Sequence, residues 1–513
     1  MAQNTALVPG DTLAPGDLFA PEATEAPPHP VVAAAAAHRW LILAIISISQ
    51  LMVVLDATIV NIALPSAQTA LAFSNDQRQW IVTSYALAFG SLLLLGGRLA
   101  DVFGRKTIFV TGLAGFAVAS AIGGAAPNFE VLVFARALQG VFAALLAPAA
   151  LSILTTTFTD PAERGRAFGI FGAIAGAGGG IGLLLGGVLT EFLDWRWTLY
   201  VNLVFAAVAI VGSVIYLRNH RPDHKVQLDI LGTVLVSAGL FSIVYGFSNA
   251  ESSSWSDVMT WGFLTAGVVL VAAFAWWQTR APQPLLPLRI LLDRNRGGSF
   301  VALLISGAGM FGVFLFLTYY LQQSLSYTPI QTGLAFLPMI GGIIFSATMA
   351  TSVLLPRMSA RILIPGGMLL AASALTYLTR LDLTSSYSLD ILPALIVMGL
   401  GMGLIFAPAT SVGTLGIDPD DAGAGSAVVS TVQQVGGSIG TALLSTLAAS
   451  AASAYLVGRT ADAANVTQAT LESYSTAYWW SAGFFVVGAI LTAIILRSGR
   501  PDFSQSTGTT THM

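Results

Sequence analysis

Fourteen mostly apolar stretches, each long enough to cross a bilayer, recur along this chain, and no other feature limits its fold as severely. They lie at roughly 40–64, 79–97, 107–126, 129–156, 167–190, 197–217, 229–247, 260–278, 299–322, 330–355, 362–380, 389–415, 424–451 and 475–496. A hydrocarbon layer about 30 Å thick is crossed by about 20 apolar residues in helical form. Backbone polar groups must be satisfied internally there, as they are in a helix. The interruptions are short and polar. The expected fold is therefore all-α and membrane-embedded.

Composition removes the competing classes. Of 513 residues 55% are apolar and 9% charged, against about 25% charged in an ordinary soluble domain. A water-soluble enzyme is excluded, and a chain this rich in Leu, Ile, Val and Phe, with aperiodic glycines, is neither disordered nor fibrous. The net charge of −3 and the presence of only two lysines, Lys106 and Lys225, give no reason to expect nucleic acid. There are no cysteines, and the five histidines fall in tails or in one polar loop. Thiol chemistry, thiolate metal sites and a buried histidine relay are thereby excluded. The sequence contains no GxxxxGK, HExxH or GxSxG motif. No metal, cofactor, catalytic site or ATPase subunit is expected, and the energy for any work must come from elsewhere.

Basic residues set the expected orientation. With the N-terminus in the cytoplasm, 17 of the 22 lysines and arginines fall on the cytoplasmic side, four outside, and Arg136 within a span. That bias follows the positive-inside rule with both termini cytoplasmic, and an even number of spans is needed to keep it. Residues 1–38 are rich in Ala and Pro and carry no basic residue, so they read as a disordered cytoplasmic tail rather than a secretory signal. Residues 498–513 form a second tail.

An internal repeat then divides the spans. Leu145-Leu146-Ala147-Pro148-Ala149 in the fourth is echoed by Ile405-Phe406-Ala407-Pro408-Ala409 in the twelfth, 260 residues on. Gly178-Gly179-Gly180-Ile181-Gly182 in the fifth is echoed by Gly436-Gly437-Ser438-Ile439-Gly440 in the thirteenth, 258 residues on. The turn Leu99 to Lys106 answers more faintly to Leu354 to Arg361. One offset recurring at three places gives an N-terminal six-helix bundle (39–217), two inserted helices with their linkers (218–298) and a C-terminal six-helix bundle (299–497). Two six-helix halves related by a parallel repeat are the plan of a major-facilitator transporter, whose substrate cavity lies between them.

Two charges stand inside the spans, Asp56 and Arg136. Asp56 lies nine residues before Pro65, about 14 Å from the outer end of span one, and Arg136 about 12 Å deep in span four. An isolated charge in hydrocarbon costs at least about 2.5–3.5 kcal/mol, so each should face a cavity or a partner. Asp56 is then either a proton carrier tuned by Arg136 or half of a permanent ion pair tying the two spans together. Thr58, Asn61, Tyr85, Gln139, Tyr319, Gln322 and Gln433 are polar groups within or at the edges of spans in both halves. They are taken as candidates for the cavity wall, with ordinary interhelical hydrogen bonding as the plainer role. Gly178, Gly182 and Gly186 recur every four residues in span five, where small residues allow close packing or a gating bend.

Leu55-Asp56-Ala57-Thr58-Ile59-Val60-Asn61-Ile62-Ala63-Leu64-Pro65 resembles the first-helix motif of the fourteen-helix drug:proton antiporters of the EmrB/QacA type, within the major facilitator superfamily. Gly97-Arg98-Leu99-Ala100-Asp101-Val102-Phe103-Gly104-Arg105-Lys106 is similar to that family's loop between spans two and three. Arg136-Ala137-Leu138-Gln139-Gly140 and Asp194-Trp195-Arg196-Trp197 with Asn202 resemble further motifs. The resemblance runs from Arg39 to Arg497. It implies a monomeric secondary transporter in the bacterial cytoplasmic membrane that alternates in access and exports amphipathic or cationic drugs in exchange for protons. Asp56 and Arg136 would couple to the proton, and Gly97, Asp101, Gly104, Arg105 and Lys106 would belong to a cytoplasmic latch. One departure stands out: the family's fifth-helix Gly-Pro is absent, since Gly182 is followed by Leu183. Rival readings are a dedicated exporter of one endogenous metabolite, such as a self-made antibiotic, lipid or siderophore, and a transport-inactive membrane sensor.

Overall fold

The computed structural model describes residues 30–218, 228–252, 254–460 and 462–499; the expected tails at 1–29 and 500–513 lie outside them. The chain divides into two compact units, residues 1–40 and 41–513. The first contributes the beginning of α1 (Pro30–Leu71), and the second holds the rest of the fold. The stretch 30–38, expected as the end of a disordered tail, is helical, since its run of alanines favours a helix. Among the described residues there are helices and turns but no strand.

The N-terminal half continues with α2 (Asn75–Phe103), α3 (Arg105–Gly124), α4 (Phe129–Thr157), α5 (Pro161–Phe192) and α6 (Trp197–Tyr216). The inserted pair is α7 (Ile230–Ser252) and α8 (Val258–Gln278), followed by one turn, α9 (Arg289–Leu292). The C-terminal half comprises α10 (Arg294–Tyr319), α11 (Pro329–Ala335) and α12 (Leu337–Met349), the last two making one span, then α13 (Ala360–Leu378), α14 (Leu392–Gly413), α15 (Ala422–Leu456) and α16 (Ala463–Ile495). Thirteen spans among the described residues are long and apolar enough to cross, and α5 makes the fourteenth, bent by 44° between Ala162–Ala175 and Gly178–Phe192. No proline sits at that bend; the run of small residues between Ala173 and Gly182 weakens the helix there instead.

The repeat seen in sequence is a repeat in packing. Pro148 lies inside α4 and Pro408 inside α14, both buried. Gly178 and Gly182 of α5 meet Val54 and Thr58 of α1, while Gly436 and Gly440 of α15 meet Leu304 and Ala308 of α10. Small residues at four-residue spacing thus seat the fifth helix of each half on its first, where a methyl group would overlap the neighbour. The two halves meet along two seams. At one, α2 packs on α15; at the other, α5 packs on α11, α12 and α14.

Several spans differ from their apolar stretches in extent. The last helix starts at Ala463, twelve residues before the expected 475, because a polar but helix-compatible segment capped by Asp462 continues it beyond the apolar region. The tenth span is interrupted at Phe336, ahead of Pro338, whose ring cannot follow a continuous helical hydrogen-bond ladder.

Candidate functional site

Helix α4 starts from Asn128, whose side chain accepts a hydrogen bond from the Val131 amide at 3.0 Å, with Glu130 in the first turn where the helix dipole favours an acid. Two turns on, Arg136 is 1% exposed and points at Asp56 of α1, which is fully buried. Arg136 Nη1 donates to Asp56 Oδ2 at 2.6 Å. Gln139 Nε2 donates to Oδ1 at 3.0 Å, and Asn202 Nδ2 of α6 donates to the same oxygen at 2.8 Å. Each of these three partners donates to the carboxyl, which fits an ionised, acceptor-only carboxylate.

A second set of contacts fixes the donors. Gln139 Nε2 also donates to Ser120 Oγ of α3 at 2.7 Å, and its Oε1 accepts from Arg136 Nη1 at 2.8 Å. Arg136 Nε donates to the Ile81 carbonyl at 3.3 Å, and its guanidinium lies 4.5 Å from the Tyr85 ring centroid, both on α2. Five helices therefore converge on one carboxylate. Two atoms of this cluster, Tyr85 Oη and Asn202 Oδ1, are buried without a hydrogen-bond partner. Beside the cluster a small cavity of about 10 Å³ with an apolar lining is bounded by Val60, Leu64, Ile81, Leu132, Trp195 and Thr198 among others. It lies toward the face opposite the basic loops.

The sequence-expected residues distribute unevenly around this cluster. Gln139 and Tyr85, expected at the cavity wall, belong to the ion-pair cluster. The Thr58 hydroxyl bonds its own helix at the Leu55 carbonyl, 3.0 Å away, and abuts Gly182 of α5. The side chain of Asn61 lies outside the described residues. Tyr319 ends α10, Gln322 sits in the wide turn Tyr320–Ser324 with a buried, unpartnered Nε2, and Gln433 is half-buried on α15. Sequence reasoning assigned no role to Ser120 and noted Asn202 only as part of a motif. The available signal for Asn202 is that it is the one carboxamide in the helix Trp197–Tyr216.

The loop between α2 and α3 forms a second arrangement, at the face bearing most basic residues. Gly104 takes φ +91°, a left-handed conformation open to glycine, and ends α2 where α3 begins. Gly97 lies so close to Gly423 and Ala427 of α15 that an added methyl would overlap both. Helix α15 lacks a side-chain cap of its own. Asp101, from the other half, supplies it by accepting from the Gly423 and Ala424 amides at 2.9 and 3.1 Å. Arg98 adds an ion pair with Asp421 at 3.5 Å. Arg105 is close enough to Asp101 and Asp420 to feel both charges. Lys106 turns elsewhere, donating to the Val214 and Leu217 carbonyls at 2.9 and 2.7 Å, and so caps α6 rather than the seam. Arg164 of α5 crosses the seam instead, donating to Thr414 Oγ1 at 3.1 Å, a contact the sequence did not suggest. With Gly165 and Gly169 packed on Thr351 of the tenth span, this face is closed in the structure.

Comparison with known proteins fits this architecture. Residues 46–441 match the family model described as Major Facilitator Superfamily. The chain is 47% identical over 472 residues to the puromycin resistance protein pur8 of Streptomyces alboniger, covering 92% of this chain and 93% of that one. It is 36% identical to the cephamycin export protein CmcT of Amycolatopsis lactamdurans, covering 89% and 91%. The solved proton:xylose symporter XylE shares the fold at a TM-score of 0.62 with 11% identity, covering 90% of this chain and 97% of that chain. By the matched span and by these identities, the chain belongs to the major facilitator superfamily of membrane transporters.

Proposed function

We propose that this protein is a proton-coupled exporter of amphipathic or cationic drugs and antibiotics in a bacterial cytoplasmic membrane, with Asp56 as the proton-carrying group. One observation carries the reading: a single carboxylate, buried inside a membrane-spanning bundle, held by two amide donors and a guanidinium. The names of the relatives, resistance and export proteins for antibiotics, support the substrate class.

The chemistry follows from which groups surround the carboxyl. With the basic face closed and Asp56 ionised against Arg136, the next step is proton uptake from the opposite face. Protonation cancels the charge that holds Arg136, leaving the guanidinium only the Gln139 amide oxygen and the Ile81 carbonyl that it already contacts. The α1–α4 contact then loosens and the halves rock until the basic face opens. Substrate arriving between the halves, where Tyr319, Gln322 and Gln433 are proposed to meet it, favours return of the ionised pair and releases the proton on that side. Arg136 stays charged throughout and acts as the switch partner rather than a proton donor.

A second reading is favoured by the relatives named for one compound each, such as cephamycin and tetracenomycin C. On it the same machinery exports one endogenous metabolite. Inverted vesicles carrying an internal pH-sensitive dye separate the readings. Collapse of an imposed gradient by many chemically unrelated cationic compounds supports multidrug exchange. Collapse by one compound alone supports the dedicated exporter, and none by any compound while transport persists removes proton exchange.

A further inference from the structure

The inserted helices lie along the α2/α15 seam. Thr83 Oγ1 of α2 and Ser248 Oγ of α7 are 3.1 Å apart, and Trp255, just after α7, donates to Thr446 Oγ1 of α15 at 2.7 Å. The linker leaving α8 is tied back in turn: Gln278 donates to Asp229 at 2.7 Å and accepts from the Leu286 amide at 2.9 Å. Leu285, Leu286 and Ile290 are buried. The linker ends on α9, where Arg289 Nη2 reaches Asp421 Oδ2 at 2.5 Å. Asp421 is the carboxylate that Arg98 approaches from the other half at 3.5 Å.

The two arginines are not equivalent. Arg296 donates to the Arg289 carbonyl at 3.0 Å and to the Gly416 carbonyl, after α14, at 3.1 Å, so Arg289 is fixed to the C-terminal half. Arg98 belongs to the N-terminal half. When the basic face opens, Asp421 must leave Arg98, but it keeps Arg289. We infer that Arg289, on the linker from the inserted helices, is a positioning residue that eases opening of the basic face by keeping Asp421 paired while it parts from Arg98. Two effects act in the same direction. Arg289 draws on the carboxylate and weakens its attraction to Arg98 across the seam, and it removes the cost of an unpaired Asp421 once the seam has parted. The inserted pair is thus coupled to the gate and does more than fill membrane beside it. This inference rests on the alternating-access reading given above.

Because the sequence contains no cysteine, two introduced ones report the gate without background. Phe103→Cys at the end of α2 and Met358→Cys between the tenth and eleventh spans place spin labels at exposed sites on the two halves. Distance distributions in lipid nanodiscs are compared for the double-cysteine protein with and without Arg289→Gln, Arg289→Lys and Asp421→Asn. Arg289→Gln shifts the closed-to-open ratio about fivefold toward the short distance, the upper range for a pair with one exposed member. Arg289→Lys restores the original ratio, and in the Asp421→Asn background Arg289→Gln has no effect. A protein that populates both distances and is unmoved by Arg289→Gln, or moves toward the long one, overturns this inference alone. A protein with a single distance under every pH and substrate condition overturns the alternating-access reading along with it.

Discussion

The Asp56–Arg136 pair makes a quantitative statement about stability that a merely adjacent pair would not. Asp56→Asn keeps an oxygen for the Gln139 and Asn202 donors but leaves a buried guanidinium without its anion. Arg136→Gln leaves a buried carboxylate with two amide donors. Each change breaks one side of a buried ion pair and costs about 3–5 kcal/mol. Asp56→Asn combined with Arg136→Gln removes both buried charges at once and leaves two carboxamides able to hydrogen-bond each other. What the double variant still loses is the guanidinium's bonds to the Gln139 oxygen and the Ile81 carbonyl and its contact with the Tyr85 ring, about 1 kcal/mol each. The double variant is therefore more stable than either single one, and the coupling energy is at least about 3 kcal/mol, a factor of roughly 100 in the folding equilibrium. Unfolding by SDS titration in mixed micelles, followed by the fluorescence of the ten tryptophans, measures all four proteins. Single losses that add to within about 0.5 kcal/mol would refute the reasoning, because that is the behaviour of independent sites.

Two further outcomes follow from the packing. Asp101→Asn keeps an acceptor for one α15 amide but gives up the charge that caps the helix across the seam. It shifts the gate toward the open distance by about 1.5–3 kcal/mol, and an unchanged distance distribution between labels at Phe103→Cys and Met358→Cys contradicts the cap. Gly182→Ala meets Thr58 at overlapping distance, whereas Gly437→Ala meets nothing within 4 Å. The first lowers thermal stability by about 1–3 kcal/mol, the second leaves it unchanged or raises it slightly, and equal effects rule out close packing of α5 on α1.

Much of this architecture is legible in sequence because lipid permits so few solutions. Length and apolarity give the spans, and basic residues give an expected orientation. The 258-residue offset gives two halves whose fifth helices seat on their first in the same way. Depth counting brings Asp56 and Arg136 to one level, and the structure joins them. The rotation of each helix about its axis is not legible. Gln139 and Tyr85 could have faced the other half or the bundle interior, and only tertiary packing turns them toward Asp56. The same holds for Asp421, which lies 323 residues from Arg98 on one side and 132 from Arg289 on the other. No local pattern announces an ion pair between loops so far apart. The bend in α5 is half-visible: the glycines permit it, and the missing proline argues against it.

The central claim is that the Asp56 carboxyl exchanges a proton when substrate binds. Purified protein in weakly buffered detergent solution, given an exported compound while a pH electrode or indicator follows the medium, measures this without membranes or gradients. Wild-type protein is expected to release protons on substrate addition, and Asp56→Asn to bind the same compound with no release. Undiminished release from Asp56→Asn would contradict the account.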